Sequence, residues 1–91
     1  MKSRATPKFW KFYARLPRRV QRRARKAYQT WKVNPNHPSL RFKRVDDERP
    51  IYSVRVGDDY RVLGFLEGDT AIWFWIGHHD EYKRLLKQGL R

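Results

Sequence analysis

The six residues Asn34-Pro35-Asn36-His37-Pro38-Ser39 separate two stretches of chain with different hydrophobic periods. Two prolines and two asparagines so close together cannot continue a helix, so one kind of structure must end there and another begin. Upstream, Leu16, Val20, Ala24, Ala27, Tyr28 and Trp31 step by three or four, while Arg18, Arg19, Arg22, Arg23, Arg25 and Lys26 fill the remaining surface. That is the period of an amphipathic helix. Downstream, "LRFKRV" and "IYSVRV" alternate large apolar residues with basic or small polar ones, the period of half-buried strands. The chain is therefore committed to a helical part followed by a sheet.

Local signals divide these parts further. Thr6 before Pro7 is a helix start, with a hydroxyl to cap free backbone N–H groups and a proline at the first helical position, so helix one is expected from Pro7 to about Arg15. Leu16-Pro17 interrupts it and a longer second helix follows, forming an αα-hairpin with a basic outer face. Strands are expected over Leu40–Val45, Ile51–Val56, Tyr60–Leu66 and Thr70–Ile76, the last two apolar enough to be covered on both faces. Gly57-Asp58-Asp59 and Gly68-Asp69 supply tight turns that make neighbours antiparallel. The final "HDEYKRLLKQGLR" has acids first, bases last and Gly89 after its apolar positions, the order of a helix with a C-terminal stop. The expected architecture is α+β: an αα-hairpin on one face of a four-stranded antiparallel sheet, then a short C-terminal helix. Trp10, Trp31, Trp73 and Trp75 are expected in the core, with Trp73 and Trp75 on one sheet face and Phe74 on the other.

Ninety-one residues suit one domain spanning the whole chain. A net charge of +13 on a chain of this size repels itself unless something acidic screens it, which points to nucleic acid or an acidic protein as partner. Four Trp, five Tyr and five Phe supply apolar area that a disordered basic tail lacks. The absence of Cys excludes disulfides and cysteine-ligated zinc. With no signal-peptide pattern and no long apolar run, a cytoplasmic protein without a membrane partner is expected.

Titratable residues concentrate in two places. In "YSVRV", Tyr52, Val54 and Val56 share one face and Ser53 and Arg55 the other; with the apolar set under the helices, Arg55 points to an open sheet face. Arg41, Lys43 and Arg61 can join it there, making a basic concavity for phosphates, which the planar guanidinium binds through paired hydrogen bonds. The second place is "GHHDEY". Consecutive residues on a helix do not face one point, so His78 and His79 make a poor metal pair, and no metal or other cofactor is expected. One histidine as acid or base, one tyrosine and arginines on a phosphate suffice to cleave RNA through its own 2′-hydroxyl. Surrounding positive charge should hold such a histidine neutral. From composition alone, the plainer reading of His78, His79 and Asp80 is the first turn of a helix, with Tyr82 packed on the sheet.

"LP" before "RRVQRRARKAYQTW", then "NPNHPSLRFKRV", "YSVRVGDDYRVLG", "WFWIGHHDEY" and "KRLL" together resemble the RelE/ParE superfamily of bacterial type II toxin-antitoxin toxins, from about Pro7 to Leu86. The resemblance implies a small α+β toxin neutralised by a cognate antitoxin, expected to be acidic, in a complex able to bind operator DNA. Relatives of the RelE kind cut mRNA in the ribosomal A site, and those of the ParE kind poison DNA gyrase. It also implies site residues: Arg55 as a basic position on the second sheet strand, Arg61 as the phosphate-stabilising arginine, His79 as the basic residue after the glycine, and Tyr82 as the residue that stacks on or activates substrate. Arg41, Lys43 and His78 are expected to assist in binding RNA. RelE-type chains begin with a strand, and here only "MKSRA" precedes Thr6, so that strand is expected to be short or absent. Ser53 stands where some relatives carry a second lysine. The leading expectation is a ribosome-dependent, metal-independent endoribonuclease; the alternatives are a gyrase inhibitor and a non-toxic basic RNA-binding module.

Overall fold

The structure, a computed structural model, describes residues 1–89. Its elements run β1 (Lys2–Ala5), α1 (Pro7–Ala14), α2 (Arg18–Val33), a 3-10 turn (Pro38–Leu40), β2 (Lys43–Arg44), β3 (Ile51–Val56), β4 (Tyr60–Glu67), β5 (Thr70–His78) and α3 (His79–Lys87). The strands form one sheet in the order β1-β5-β4-β3-β2. β1 is parallel to β5 and every other pair is antiparallel, so the sheet is mixed and five-stranded where four antiparallel strands were expected. The added strand is the short "KSRA" segment, carried into the sheet by the backbone N–H of Lys2 on the Asp69 carbonyl (2.8 Å) and that of Thr6 on the Trp73 carbonyl (3.0 Å).

Thr6 caps α1 as anticipated, its Oγ1 accepting the N–H of Phe9 at 3.1 Å. Pro17 is extended and caps α2 from outside, so that helix starts at Arg18, two residues later than the pattern at Leu16 suggests. The hairpin is pinned where it bends: the Gln21 side chain donates to the Tyr13 carbonyl (3.0 Å), and Arg25 donates to the Tyr13 hydroxyl (2.9 Å). Val20, Ala24 and Trp31 face the sheet and are buried. Trp10 is not in the core: it is 54% exposed on the outer side of α1.

The expected strand Leu40–Val45 shrinks to two residues. His37 caps a 3-10 turn through Nδ1, which accepts the Ser39 N–H (3.2 Å), and the turn drives Leu40 into the core instead of leaving it in a strand. Arg41 then adopts a left-handed conformation (φ 45°, ψ 45°), which no strand accommodates. Beyond Arg44, Asp46 folds the chain over by accepting the N–H groups of Glu48 (2.8 Å) and Arg49 (3.0 Å).

Two apolar layers sandwich the sheet. Trp31, Val54, Val56, Val62, Trp73 and Ile76 fill the layer under the hairpin; Ile51, Leu63, Trp75 and Tyr82 fill the layer under α3. Trp73 and Trp75 thus lie on opposite faces, not on one. The cause is a β-bulge: Gly64 pairs with Trp73 and Leu63 with Trp75, which leaves Phe74 without a partner and reverses the alternation beyond it. Each indole lies over a glycine of its own face. A Cβ on Gly64 would come within 2.5 Å of the Trp73 ring, and one on Gly77 within 2.5 Å of the Trp75 ring.

Candidate nucleic-acid site

Cross-strand partners share a face, so the ladder states which side chains meet. Arg55 is paired with Arg61, and Arg61 with Gly77, on the α3 side of the sheet. Arg41 precedes β2 and comes close enough for its charge, with that of Arg55, to act on Arg61. Two guanidinium groups are therefore held opposite each other at one end of this face, and the charge of Arg41 acts on the second of them. Like charges held opposite one another are destabilising, an arrangement that suits an anion placed among them.

The face is not open along its length, as had been expected. α3 covers its middle, with Tyr82 buried against Ile51, Leu63 and Trp75. At the Arg55–Arg61 end the two arginines, each half-buried, are braced by the β3–β4 turn. Arg55 donates to the Gly57 carbonyl (3.0 Å) and to the Asp58 carboxylate, and Arg61 donates to the Tyr60 carbonyl (2.8 Å). Burial and the charges of Arg55 and Arg41 hold the Arg61 guanidinium below its ordinary pKa, against the opposing pull of Tyr82 and Asp58.

His79 opens α3 on the Arg61 side. Its backbone N–H donates to the Asp59 carbonyl at 2.7 Å, which ties the helix start to the same turn that holds the arginines. Its ring stacks on that of Tyr82, with centroids 6.1 Å apart and planes at 29°. Burial, then the charges of Arg61 and Lys83, depress its pKa below 6.5, and Asp80 opposes them. The neutral imidazole is favoured, a form able to accept a proton. Tyr82 is 6% exposed, and its hydroxyl donates to the buried Ser53 Oγ at 3.2 Å, so the ring supports His79 from below and offers no open surface to a base.

The other sequence-derived candidates are distributed differently. Lys43 is exposed on the same face, paired with Ser53 one row from the arginines. His78 pairs with Tyr60 on the opposite face, where its ring meets that tyrosine edge-on at 5.4 Å. Its Nδ1 accepts the Asp80 N–H (3.1 Å), making it the N-cap of α3. The structure does not bring it to the arginines. Ser53, Asp58 and Lys83 had no assigned role in the sequence; the one local signal was Lys83 four residues after His79, one helical turn on. Among the described residues, no three His, Asp or Glu side chains are placed to hold a metal ion. Nor, among them, is any helix long and apolar enough to cross a membrane.

A short parallel edge strand, a helical hairpin, a four-strand antiparallel meander and a closing helix, with arginines gathered at one end, define a small basic α+β protein of the RelE-like fold. The chain belongs to the ParE-like toxin domain family, which it matches over residues 18–84, within the RelE/ParE superfamily of toxins. No curated protein matches it in sequence. Among solved structures it is similar to a chain of the RelB-RelE antitoxin-toxin complex from Methanococcus jannaschii, at 20% identity and TM-score 0.71 over 88% of this chain and 94% of that one. It is similar also to the YoeB/ParE toxin from Agrobacterium tumefaciens, at 18% identity and TM-score 0.68 over 87% and 99%. The RelBE2 toxin-antitoxin complex from Mycobacterium tuberculosis contains a third such chain, at 20% identity and TM-score 0.69 over 86% and 96%.

Proposed function

We propose that this toxin is an endoribonuclease that cuts mRNA on the ribosome and so inhibits translation. The observation that carries this reading is the backbone bond that ties His79 to the same turn that braces Arg55 and Arg61, with the charge of Arg61 helping to bias its imidazole towards the neutral form. RNA carries its own nucleophile, so the chemistry asked of the protein is small. The 2′-oxygen bonds to the adjacent phosphorus, the bond to the 5′-oxygen breaks, and a cyclic phosphate and a 5′-hydroxyl result. His79 takes the 2′-hydroxyl proton, and the departing 5′-oxygen is protonated by the resulting imidazolium or by water. Arg55 and Arg61 turn from the β3–β4 turn to the non-bridging oxygens, where negative charge grows in the transition state. Arg41 and Lys43 hold flanking phosphates, and Tyr82 keeps the imidazole in place. Proton and charge balance close without a metal or other cofactor.

The +13 charge supports ribosomal RNA as the docking partner and makes binding salt-sensitive. It also supports an acidic antitoxin as the neutralising partner, and similar folds occur in RelB-RelE complexes. An apolar cavity of about 430 Å³ between α1, α2 and β1, lined by Phe9, Trp10, Tyr28 and Trp31, offers such a partner hydrophobic area to bury. The toxin-antitoxin complex is proposed to bind operator DNA, and the setting for all of this is the cytoplasm. Cleavage of translated mRNA by His79→Ala, Arg61→Ala and Tyr82→Phe proteins tests the site: a loss of rate is expected in each, largest for the first two, and full activity in all three would overturn it.

The ParE-like family match favours one second reading, inhibition of DNA gyrase by binding alone. A supercoiling assay separates the two, since gyrase inhibition without mRNA cleavage requires the second. Harmless overexpression in a bacterial host would instead indicate a non-toxic RNA-binding module.

A further inference from the structure

α2 carries seven basic residues and no acidic one. Arg18, Arg22 and Lys26 follow at i, i+4 and i+8 on the side opposite Val20, Ala24 and Trp31, and all three are exposed. Among the described residues, no α2 cation is in an ion pair; the pairs involve Arg49, Arg55, His78 and Arg84. The arrangement works against the helix itself. Like charges four apart on a helix repel each other. Arg18 and Arg19 also sit in the first turn, where the helix dipole disfavours cations and no acid compensates. An anion lying along this face would relieve that repulsion.

The inner side of α2 packs on the hairpin face of the sheet, so this ridge points away from Arg55 and Arg61, which lie on the α3 face. We infer that the outer ridge of α2, centred on Arg18, Arg22 and Lys26, is a second RNA-binding surface that docks along the phosphate backbone of a double-stranded RNA. The length fits: 16 residues of helix extend about 24 Å, with a cation presented every turn of about 5.4 Å. The chemistry fits a duplex better than a single strand, because proteins hold single strands by stacking bases on aromatic rings. The ridge presents none: Trp31 faces inward, and the half-exposed Tyr28 is bonded through its hydroxyl to Ser3 (2.5 Å) beside β1. A-form RNA is recognised by shape and backbone, which needs cations at regular spacing and no base reader. The inference rests on the RNA-directed reading of the protein but not on cleavage or on His79.

The test is equilibrium binding of the full chain to a 20-base-pair RNA duplex of mixed sequence, followed by fluorescence anisotropy across a salt series. The R18Q/R22Q/K26Q protein is expected to lower the slope of log K against log salt by about 2–3, at roughly 0.9 for each phosphate no longer neutralised. It should bind about 10–100-fold more weakly near physiological salt, while R55Q/R61Q leaves the duplex slope within about 0.5 of the original. An unchanged slope in the ridge variant, or an equal loss in the site variant, would overturn the inference. So would a DNA duplex of the same sequence competing as well as the RNA. Folding is controlled by thermal melting at low salt, where the ridge variant should melt at or above the parent once its repulsions are removed. Should the triple variant fail to fold, Arg22→Gln alone is expected to lower the slope by about 0.9, and no change there would overturn the inference. Loss of cleavage in the site variant speaks to the proposed activity alone, so the two readings fail independently.

Discussion

Gly77→Ala puts the packing beneath the candidate site under a direct test. Gly77 is paired with Arg61, and the Trp75 indole lies over it, so an added Cβ would sit 2.5 Å from Cζ2 and 2.8 Å from Cη2 of that ring. The ring has little room to retreat, being 7% exposed and packed with Leu63, Ile51 and Tyr82. Overpacking of this kind costs about 1–3 kcal/mol. In a domain of this size each kcal/mol lowers Tm by about 4–8 °C, so a fall of roughly 4–24 °C is expected. A double-mutant cycle isolates the cause. Trp75→Leu alone should destabilise through the cavity it opens, but in its presence Gly77→Ala should be nearly neutral, a coupling of about 1–3 kcal/mol. Urea denaturation of the four proteins measures it. Additive effects within about 0.5 kcal/mol would refute the idea that the ring over Gly77 sets the cost.

Other expectations are each checked by one measurement. In an NMR titration the His79 imidazole should have its midpoint below 6.5, and Arg61→Gln should raise it; an unmoved midpoint would count against the proximity of the two charges. Because the folded pKa is depressed, protonating His79 opposes folding as pH falls through 6.5, and the cleavage rate should fall as pH drops through the depressed value, with that limb moving to higher pH in Arg61→Gln. Tyr82→Phe leaves the buried Ser53 hydroxyl without its partner and should cost about 1–2 kcal/mol in chemical denaturation; adding Ser53→Ala should restore part of it. Asp46 is held below the usual carboxylate pKa by the backbone N–H groups of Arg49 and Glu48. Its contribution to stability is therefore complete above pH 3.8 and is lost as pH falls through its folded pKa. Acid titration of Asp46→Asn should lack that component of the loss.

Local chemistry alone located α1, β3, β4 and α3, because caps, turn residues and period act within a few residues of where they are read. Thr6-Pro7 marked a helix start, and "IYSVRVGDDYRVLG" two antiparallel strands about a Gly57-Asp58-Asp59 turn. β1 was harder to see, since four residues of "KSRA" carry no strand signal and their place depends on a free edge of β5, more than sixty residues away. Trp10 shows the limit of composition as evidence for burial, because on a helix of eight residues only one side reaches the sheet.

The two histidines mark where sequence stops. Family resemblance pointed to His79 but left open which of His78 and His79 faces a substrate, while composition held both to be an ordinary helix start. Across β4 and β5 the ladder begins with Glu67 opposite Thr70, and continued without interruption it would set Ile76 against Arg61 and send His78 to the arginine side. The bulge at Phe74 shifts the remaining register by one residue, puts Gly77 against Arg61, and places His79 there instead. Residue type and order pointed to a basic α+β toxin with arginines on one sheet face, and the ladder paired Arg55 with Arg61. Which histidine stands beside them follows from one unpaired residue in a ladder, and a ladder is a property of two strands together, not of either strand's sequence.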